Sequence, residues 1–230
     1  MVGGKVVCIN GIYVDDLLIT EKNEQINDII NRIKRKFKIS KYNHADYLLG
    51  IRIESGNHKY SISQEQLIED ILQKFNIKNT RKVKTPCTGE DKNLKEDKPF
   101  DKTTYKSAIG ALIYLGRCTR PDISFSVGKA SRNSENPKYS DWKKVMNILK
   151  YLKYTKNFKI TYKGQGEIVA YTDSDFGGDP NDRKSTSGYI VLMNNDPICW
   201  QSKKQSVVAT STCETEYIAM AECTKKVLYI

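Results

Sequence analysis

The sequence predicts a mixed α/β (α+β) fold, and three observations carry that expectation. β-prone apolar runs, Val6-Val7-Cys8-Ile9 with Ile12-Tyr13-Val14 and then Leu17-Leu18-Ile19, bracket an Asp15-Asp16 pair near the start. Apolar residues at helical spacing fill the middle, with Trp142, Val145, Met146, Leu149 and Leu152 the clearest stripe. From Phe158 the pattern turns to short β-prone runs before a last amphipathic helix. At 230 residues the chain is long enough for a sizeable core or two domains of ordinary size.

Residues 6–20 read as a hairpin whose tip carries two adjacent carboxylates. Ile26, Ile29, Ile30, Ile33 and Phe37 put an apolar face on a helix over 24–38, with basic residues opposite. Tyr47–Glu54 and Lys59–Ser63 read as a second hairpin turned at Ser55-Gly56-Asn57-His58. A helix over about 64–76 follows, with Leu67, Ile68, Ile71, Leu72 and Phe75 on one face. Residues 78–101 are polar and carry Pro86 and Pro99, the composition of a loop or tether. Helices are expected at about 103–116, 121–132 and 138–155, the last two started by Pro121 and Pro137. Phe158–Tyr162, Glu167–Thr172, Gly188–Met193 and Pro197–Gln201 read as successive strands. A final helix begins near 212, where Ser211 and Glu214 have capping-box spacing.

Lys and Arg number 38 against 27 Asp and Glu, a formal net charge of +11. The excess is spread along the chain, with denser runs at Arg32–Lys38 and Lys78–Lys84. Such a balance points to a polyanionic partner, most simply nucleic acid. None of the six cysteines forms Cys-x-x-Cys and only His44 and His58 are present, so no zinc-site spacing exists. Most cysteines sit in apolar runs and are expected to be reduced core thiols. No apolar stretch approaches the ~20 residues of a membrane span, and Met-Val-Gly-Gly-Lys is not a signal peptide. An intracellular, unsecreted protein is expected.

Paired carboxylates at one strand tip suit a divalent metal in the geometry of phosphoryl transfer. Asp is short, hard and anionic, which favours Mg²⁺ over zinc. An ordinary exposed Asp-Asp turn is the plainer reading of the same residues.

Tyr13-Val14-Asp15-Asp16 is followed in order by Tyr47-Leu48-Leu49-Gly50-Ile51-Arg52-Ile53-Glu54 and then by Tyr105-Lys106-Ser107-Ala108-Ile109-Gly110-Ala111-Leu112, continued by Thr119-Arg120-Pro121-Asp122. Next come Tyr171-Thr172-Asp173-Ser174-Asp175 with Arg183-Lys184-Ser185-Thr186-Ser187-Gly188, then Trp200-Gln201-Ser202-Lys203-Lys204-Gln205, then Ser211-Thr212-Cys213-Glu214-Thr215-Glu216-Tyr217. This ordered set covers nearly the whole chain and resembles the Pol polyprotein of copia-type retrotransposons. The resemblance implies the end of a reverse-transcriptase palm with a primer-grip-like hairpin over 1–63. It implies a helical thumb/connection with a tether over 64–157, and an incomplete ribonuclease H-like mixed sheet over 158–230.

It also implies roles. Asp15 and Asp16 match the paired palm carboxylates that hold two Mg²⁺ ions, with Mn²⁺ able to substitute. A third palm carboxylate is expected from an earlier strand, and only 14 residues precede Asp15. Asp173 matches the aspartate on the first ribonuclease H strand and Glu216 the helix glutamate. Asp175 and Glu214 are the alternatives for these roles. Turn chemistry before Gly177-Gly178 and Pro180 would also account for Asp175 and Asp179, and a helix N-terminus favours an acid such as Glu214. The family's next aspartate lies on a strand after this helix, beyond Ile230. Two metals about 3.5–4 Å apart need three or four carboxylates, so both sites are expected to be incomplete. The function implied is RNA-directed DNA synthesis with degradation of the RNA strand of a hybrid. The implied partners are primer–template, RNA–DNA hybrid and the rest of the polyprotein. The chain alone is expected to be inactive; the alternative is a basic nucleic-acid-binding remnant without catalysis.

Overall fold

The computed structural model describes residues 8–14, 16–21, 23–39, 45–57, 59–78, 80–87 and 97–230. Asp15, His44 and His58 lie outside the described residues. Two units are resolved, Met1–Leu49 and Gly50–Ile230.

In the first unit, β1 (Cys8–Tyr13) and β2 (Asp16–Glu21) pair antiparallel, with Tyr13 opposite Asp16 and Ile9 opposite Thr20. Val14 follows β1 with φ at 48°. A left-handed backbone belongs in the tight turns whose twist matches that of two paired strands. Helix α1 (Asn23–Lys34) packs against β2, burying Ile30 and setting Arg32 and Lys34 in its last turn, where the helix dipole favours cations. A two-residue strand β3 (Tyr47–Leu48) comes next. The sequence read Tyr47–Glu54 as one strand; Leu49 (φ 51°) and Gly50 (φ 71°) are both left-handed and interrupt it.

The second unit begins with a hairpin, β4 (Ile51–Gly56) and β5 (Lys59–Ser63). Strand β6 (Ile160–Tyr162) completes its meander, with Ile160 opposite Ile62 and the hydroxyls of Ser61 and Thr161 2.8 Å apart. In the sequence β6 looked like the first of the closing strands. Its partner lies about a hundred residues upstream, a pairing no local pattern encodes.

Helices α2 (Glu65–Lys74), α3 (Lys102–Cys118), α4 (Ser124–Ser131) and α5 (Tyr139–Tyr154) form the core. The expected helix at 121 opens instead as a 3₁₀ turn, Pro121–Ile123, before α4. Ile68, Ile71, Tyr105, Leu112, Leu115, Val145, Leu149 and Leu152 meet in one cluster. Each such side chain contributes about 1.5–3 kcal/mol by leaving water. The Phe100 ring stacks on Trp142 at 4.5 Å, and the Tyr105 hydroxyl donates to the Ala130 carbonyl at 2.8 Å.

Arg120 is 1% exposed beside this core. Its guanidinium forms a fork on the Asp122 carboxylate (2.9 and 2.7 Å) and donates to the Thr155 carbonyl and hydroxyl (3.1 and 2.6 Å). The Tyr151 and Phe158 rings cover it at 5.6 and 5.3 Å. A planar, weakly hydrated cation with this many partners tolerates burial.

Strands β7 (Ile168–Ser174), β8 (Thr186–Met193) and β9 (Asp196–Lys204) form an antiparallel sheet in sequential order. Asn194 (φ 52°) and Asn195 (φ 63°) turn β8 into β9, the two left-handed residues of a type I′ hairpin. Helix α6 (Thr212–Tyr229) packs on β7 and β8. It buries Thr215, Ala219 and Cys223 and leaves Tyr217, Met220, Leu228 and Tyr229 exposed, while Ile218 and Val227 are half-buried.

The cysteine expectation is corrected. Of the free thiols described, only Cys223 is buried; Cys118 and Cys199 are half-buried, and Cys87 and Cys213 are exposed. Neighbouring apolar letters do not fix burial, because half of each helix or strand faces outward. No helix among the described residues is long and apolar enough to cross a membrane.

Candidate functional site

The first group of candidate residues sits at the hairpin tip. Asp16 opens β2 opposite Tyr13 and is exposed, as are Tyr13 (62%) and Val14 (84%). Val14 is β-branched, and a left-handed backbone there costs on the order of 1–3 kcal/mol. The tip is thus a tight, strained turn that projects a carboxylate next to a ring, with no burial to hide either.

The second group sits where β7 meets α6. The hydroxyls of Ser174 and Thr215 lie 2.8 Å apart and join strand to helix. Ser174 therefore faces α6, and Asp173, just before it on β7, is exposed. Glu216 follows Thr215 on α6 and is half-buried. Ser174 and Thr215 are the chain neighbours of Asp173 and Glu216, so this contact joins the two segments that carry them.

Both alternative acids have structural partners. Asp175 accepts from the Thr186 N–H at 2.8 Å and the Gly178 N–H at 3.3 Å. A Cβ on Gly178 would come within 2.5 Å of the Asp175 carboxylate, so a larger residue there would push that side chain aside. Glu214 accepts from the N–H and hydroxyl of Thr210 (2.7 and 2.9 Å), which hold its carboxyl below the usual range. Its own N–H donates to the Ser211 hydroxyl at 3.1 Å. Glu214 therefore closes the start of α6.

Asp179, first seen only as a turn residue, is 4% exposed and tightly held. Lys204 reaches it at 2.5 Å and Arg132 at 3.0 Å, and the Asn181 N–H donates to it at 3.0 Å. The Lys204 hydrogen bond, ahead of the other contacts, brings its carboxyl down to about 2. This clasp ties the β7–β8 connection to α4 and to the end of β9. Arg132, Lys204 and the buried Arg120 were not singled out from the sequence. Their partners lie 47, 25 and, for Thr155, 35 residues away, and only the Arg120–Asp122 spacing was local enough to be a signal.

Among the described residues, no group of three or more His, Cys, Asp or Glu side chains lies close enough to hold a metal ion. Two-ion phosphoryl transfer needs such a group, and Asp15 lies outside the residues searched.

Residues 2–89 match the family model of the reverse transcriptase (RNA-dependent DNA polymerase). The chain is 38% identical over 231 residues to the Retrovirus-related Pol polyprotein from transposon TNT 1-94 of Nicotiana tabacum, covering 95% of this chain and 17% of that protein. It is 34% identical over 235 residues to the Retrovirus-related Pol polyprotein from transposon RE1 of Arabidopsis thaliana, covering 99% and 16%. This chain belongs to the Pol polyprotein family of copia-type retrotransposons. An uncharacterized mitochondrial protein of Arabidopsis thaliana is 30% identical over 214 residues, covering 91% of this chain and 89% of that one. No solved structure matches. The chain thus spans about one sixth of the length of the first two Pol relatives. The reverse-transcriptase match contains the Asp15-Asp16 hairpin and the β4–β5 hairpin; the Pol relatives carry the likeness on past residue 89, through the helical core and into the final sheet.

Proposed function

We propose that this chain is a segment of a retrotransposon RNA-directed DNA polymerase with ribonuclease H, supplying parts of two phosphoryl-transfer sites and a surface for primer–template and RNA–DNA hybrid. The observation that carries this reading is the hairpin that presents Asp16 exposed at the start of β2, inside the stretch that matches the reverse-transcriptase model. Asp15 and Asp16 are proposed as palm ligands, and Asp173 and Glu216 as the ribonuclease H pair. Mg²⁺ is proposed as the family's ion, to be held only together with carboxylates supplied from outside this stretch. In line with this, 1–63 is read as palm, 64–157 as thumb and connection, and 158–230 as ribonuclease H-like.

The second reading, a basic nucleic-acid-binding remnant, is favoured by the net charge of +11. The two readings separate in one set of assays. Primer extension on an RNA template with Mg²⁺ or Mn²⁺ is expected to give no product from this chain alone. A longer Pol segment that includes it is expected to extend the primer and to lose extension in Asp15→Asn. If Asp15→Asn leaves extension by the longer segment intact, the palm assignment is lost and the remnant reading stands. Binding of RNA–DNA hybrid is expected in either case and should weaken steeply with salt as counterions are released. A folded sample that fails to bind hybrid at low salt would sink both readings.

A further inference from the structure

A cleft of about 380 Å³ lies between α3, α4 and β9. Its size falls within the range of about 300–1,000 Å³ typical of ligand sites. Ile113, Val127 and Trp200 give it an apolar wall, and Arg117, Lys203 and Gln201 give it donors. No carboxylate lines it. Among the described residues neither Arg117 nor Lys203 pairs with an acid, in contrast to Lys102, Lys106, Arg120, Arg132, Lys156 and Lys204.

The wall is fixed before any ligand enters. The Trp200 indole N–H donates to the Gly116 carbonyl at 2.7 Å, and the Ser124 hydroxyl donates to the same oxygen at 3.1 Å. Ser131 donates to the Gly128 carbonyl at 2.8 Å. The Ser124 and Ser131 protons are thus committed, which leaves the Arg117 guanidinium, the Lys203 ammonium, the Gln201 carboxamide and the Ser202 hydroxyl to meet an anion in the cleft. An aromatic ring held in place, an apolar floor and two unneutralised cations are the complement of a heterocyclic base joined to a phosphate.

We propose that this cleft binds one nucleoside phosphate unit, with the phosphate at Arg117 and Lys203 and the base against Trp200. The proposal rests on the nucleic-acid reading above and adds a position, a unit size and the residues that recognise it. A free nucleotide and one nucleotide of a strand share this chemistry, and the experiment separates them.

The test follows the Trp200 indole N–H resonance of the full chain by NMR, assigned with Trp200→Phe, during titration with adenosine monophosphate, a ten-nucleotide single strand, or inorganic phosphate. Both nucleotide probes are expected to move it, and Arg117→Glu to weaken that response at least tenfold. Lys163→Glu carries the same change of charge just after β6, outside the cleft, and is expected to weaken it less than threefold. Response to the strand alone supports the site as a strand contact, and response to the mononucleotide alone supports it as a free-nucleotide site. A resonance that neither probe moves, an equal response to inorganic phosphate, or equal losses in the two charge variants would overturn the proposal. Binding of hybrid without movement of Trp200 would remove the cleft and leave the nucleic-acid reading standing. A mononucleotide response without hybrid binding would do the reverse.

Discussion

The helical core and the closing sheet with α6 are built on different principles. The core buries Ile68, Leu112, Leu115, Leu149 and Leu152 in one apolar cluster. Beneath the closing sheet the buried apolar residues described are Val191, Ala209, Ala219 and Cys223, beside buried Asp179, Ser185, Thr186, Ser187, Asp196, Gln205 and Thr215. Gln205 shows the difference: its amide donates to the Ser187 hydroxyl and the Thr215 carbonyl (2.8 and 3.0 Å), while its buried oxygen finds no partner in the structure. Apolar burial is non-directional and adds with area, whereas polar clasps depend on geometry and ionisation. One part of this chain should therefore respond mainly to volume changes, and the other to charge and pH.

The largest effect is expected from Leu112→Ala. Leu112 is 0% exposed in the core, and its truncation should cost about 2–5 kcal/mol, read from denaturant unfolding. Val191→Ala, at 0% exposure beneath the closing sheet, removes less volume and should cost about 2 kcal/mol. Equal losses would mean that both regions rely on packing to the same degree.

Asp122→Asn sharpens the contrast from inside the core, because it removes the carboxylate under a buried guanidinium. Breaking a fully buried pair costs about 3–5 kcal/mol. The Asp122 side chain is 30% exposed, and Thr155 and two rings still face Arg120, so about 2–3 kcal/mol is expected here. A loss below about 1 kcal/mol would show that the aromatic cover, and not the carboxylate, holds Arg120 in place.

The sequence made the core legible and the clasps illegible for one reason. Helical stripes such as Val145, Leu149 and Leu152 repeat within a turn, so periodicity finds them. The pairing of Ile160 with Ile62, or of Arg132 with Asp179, joins residues far apart in the chain and leaves no local trace. On α6, Tyr217, Met220 and Leu228 remain exposed, although the helix reads as amphipathic from its sequence. Among the candidate site residues, the Asp16 hairpin could be read from alternation. Asp173 and Glu216 were singled out through resemblance, and the contact between their two segments became visible only once Ser174 was seen on Thr215.

Acid should separate the two regions. Asp179 titrates at about 2 when folded, below the ordinary 3.8, so it binds its proton less readily in the folded state. Its stabilising contribution is complete above the ordinary value and is lost as pH falls through about 2. At full strength it amounts to about 2 kcal/mol. Hydrogen exchange, corrected for intrinsic rates, should show 168–229 losing protection between pH 4 and pH 2 ahead of 102–154. Glu135 in the core region also lies at about 2, but it is an exposed partner of Lys102 and Lys106 and should matter little. Asp179→Asn should make the closing sheet less stable at pH 7 and remove most of this acid response. Simultaneous loss of protection in both regions would contradict the comparison.

The smallest effects are the most discriminating, because they compare the same bond in both regions. Asp101 caps α3 by accepting from the Thr104 N–H at 2.7 Å, and Ser211 caps α6 by accepting from the Glu214 N–H at 3.1 Å. Replacing either by alanine should cost about 1 kcal/mol. Since α3 carries Tyr105, Leu112 and Leu115 into the core, Asp101→Ala should shift the main unfolding transition. α6 leaves much of its apolar face in water, so Ser211→Ala should speed local exchange along Thr212–Tyr229 while the main midpoint stays within error. If Ser211→Ala moved the main midpoint as far as Asp101→Ala does, sheet, helix and core would unfold as one unit. The polar clasps beneath β8 would then couple to the core as strongly as apolar packing does, and the contrast between the two regions would be one of composition without consequence for stability.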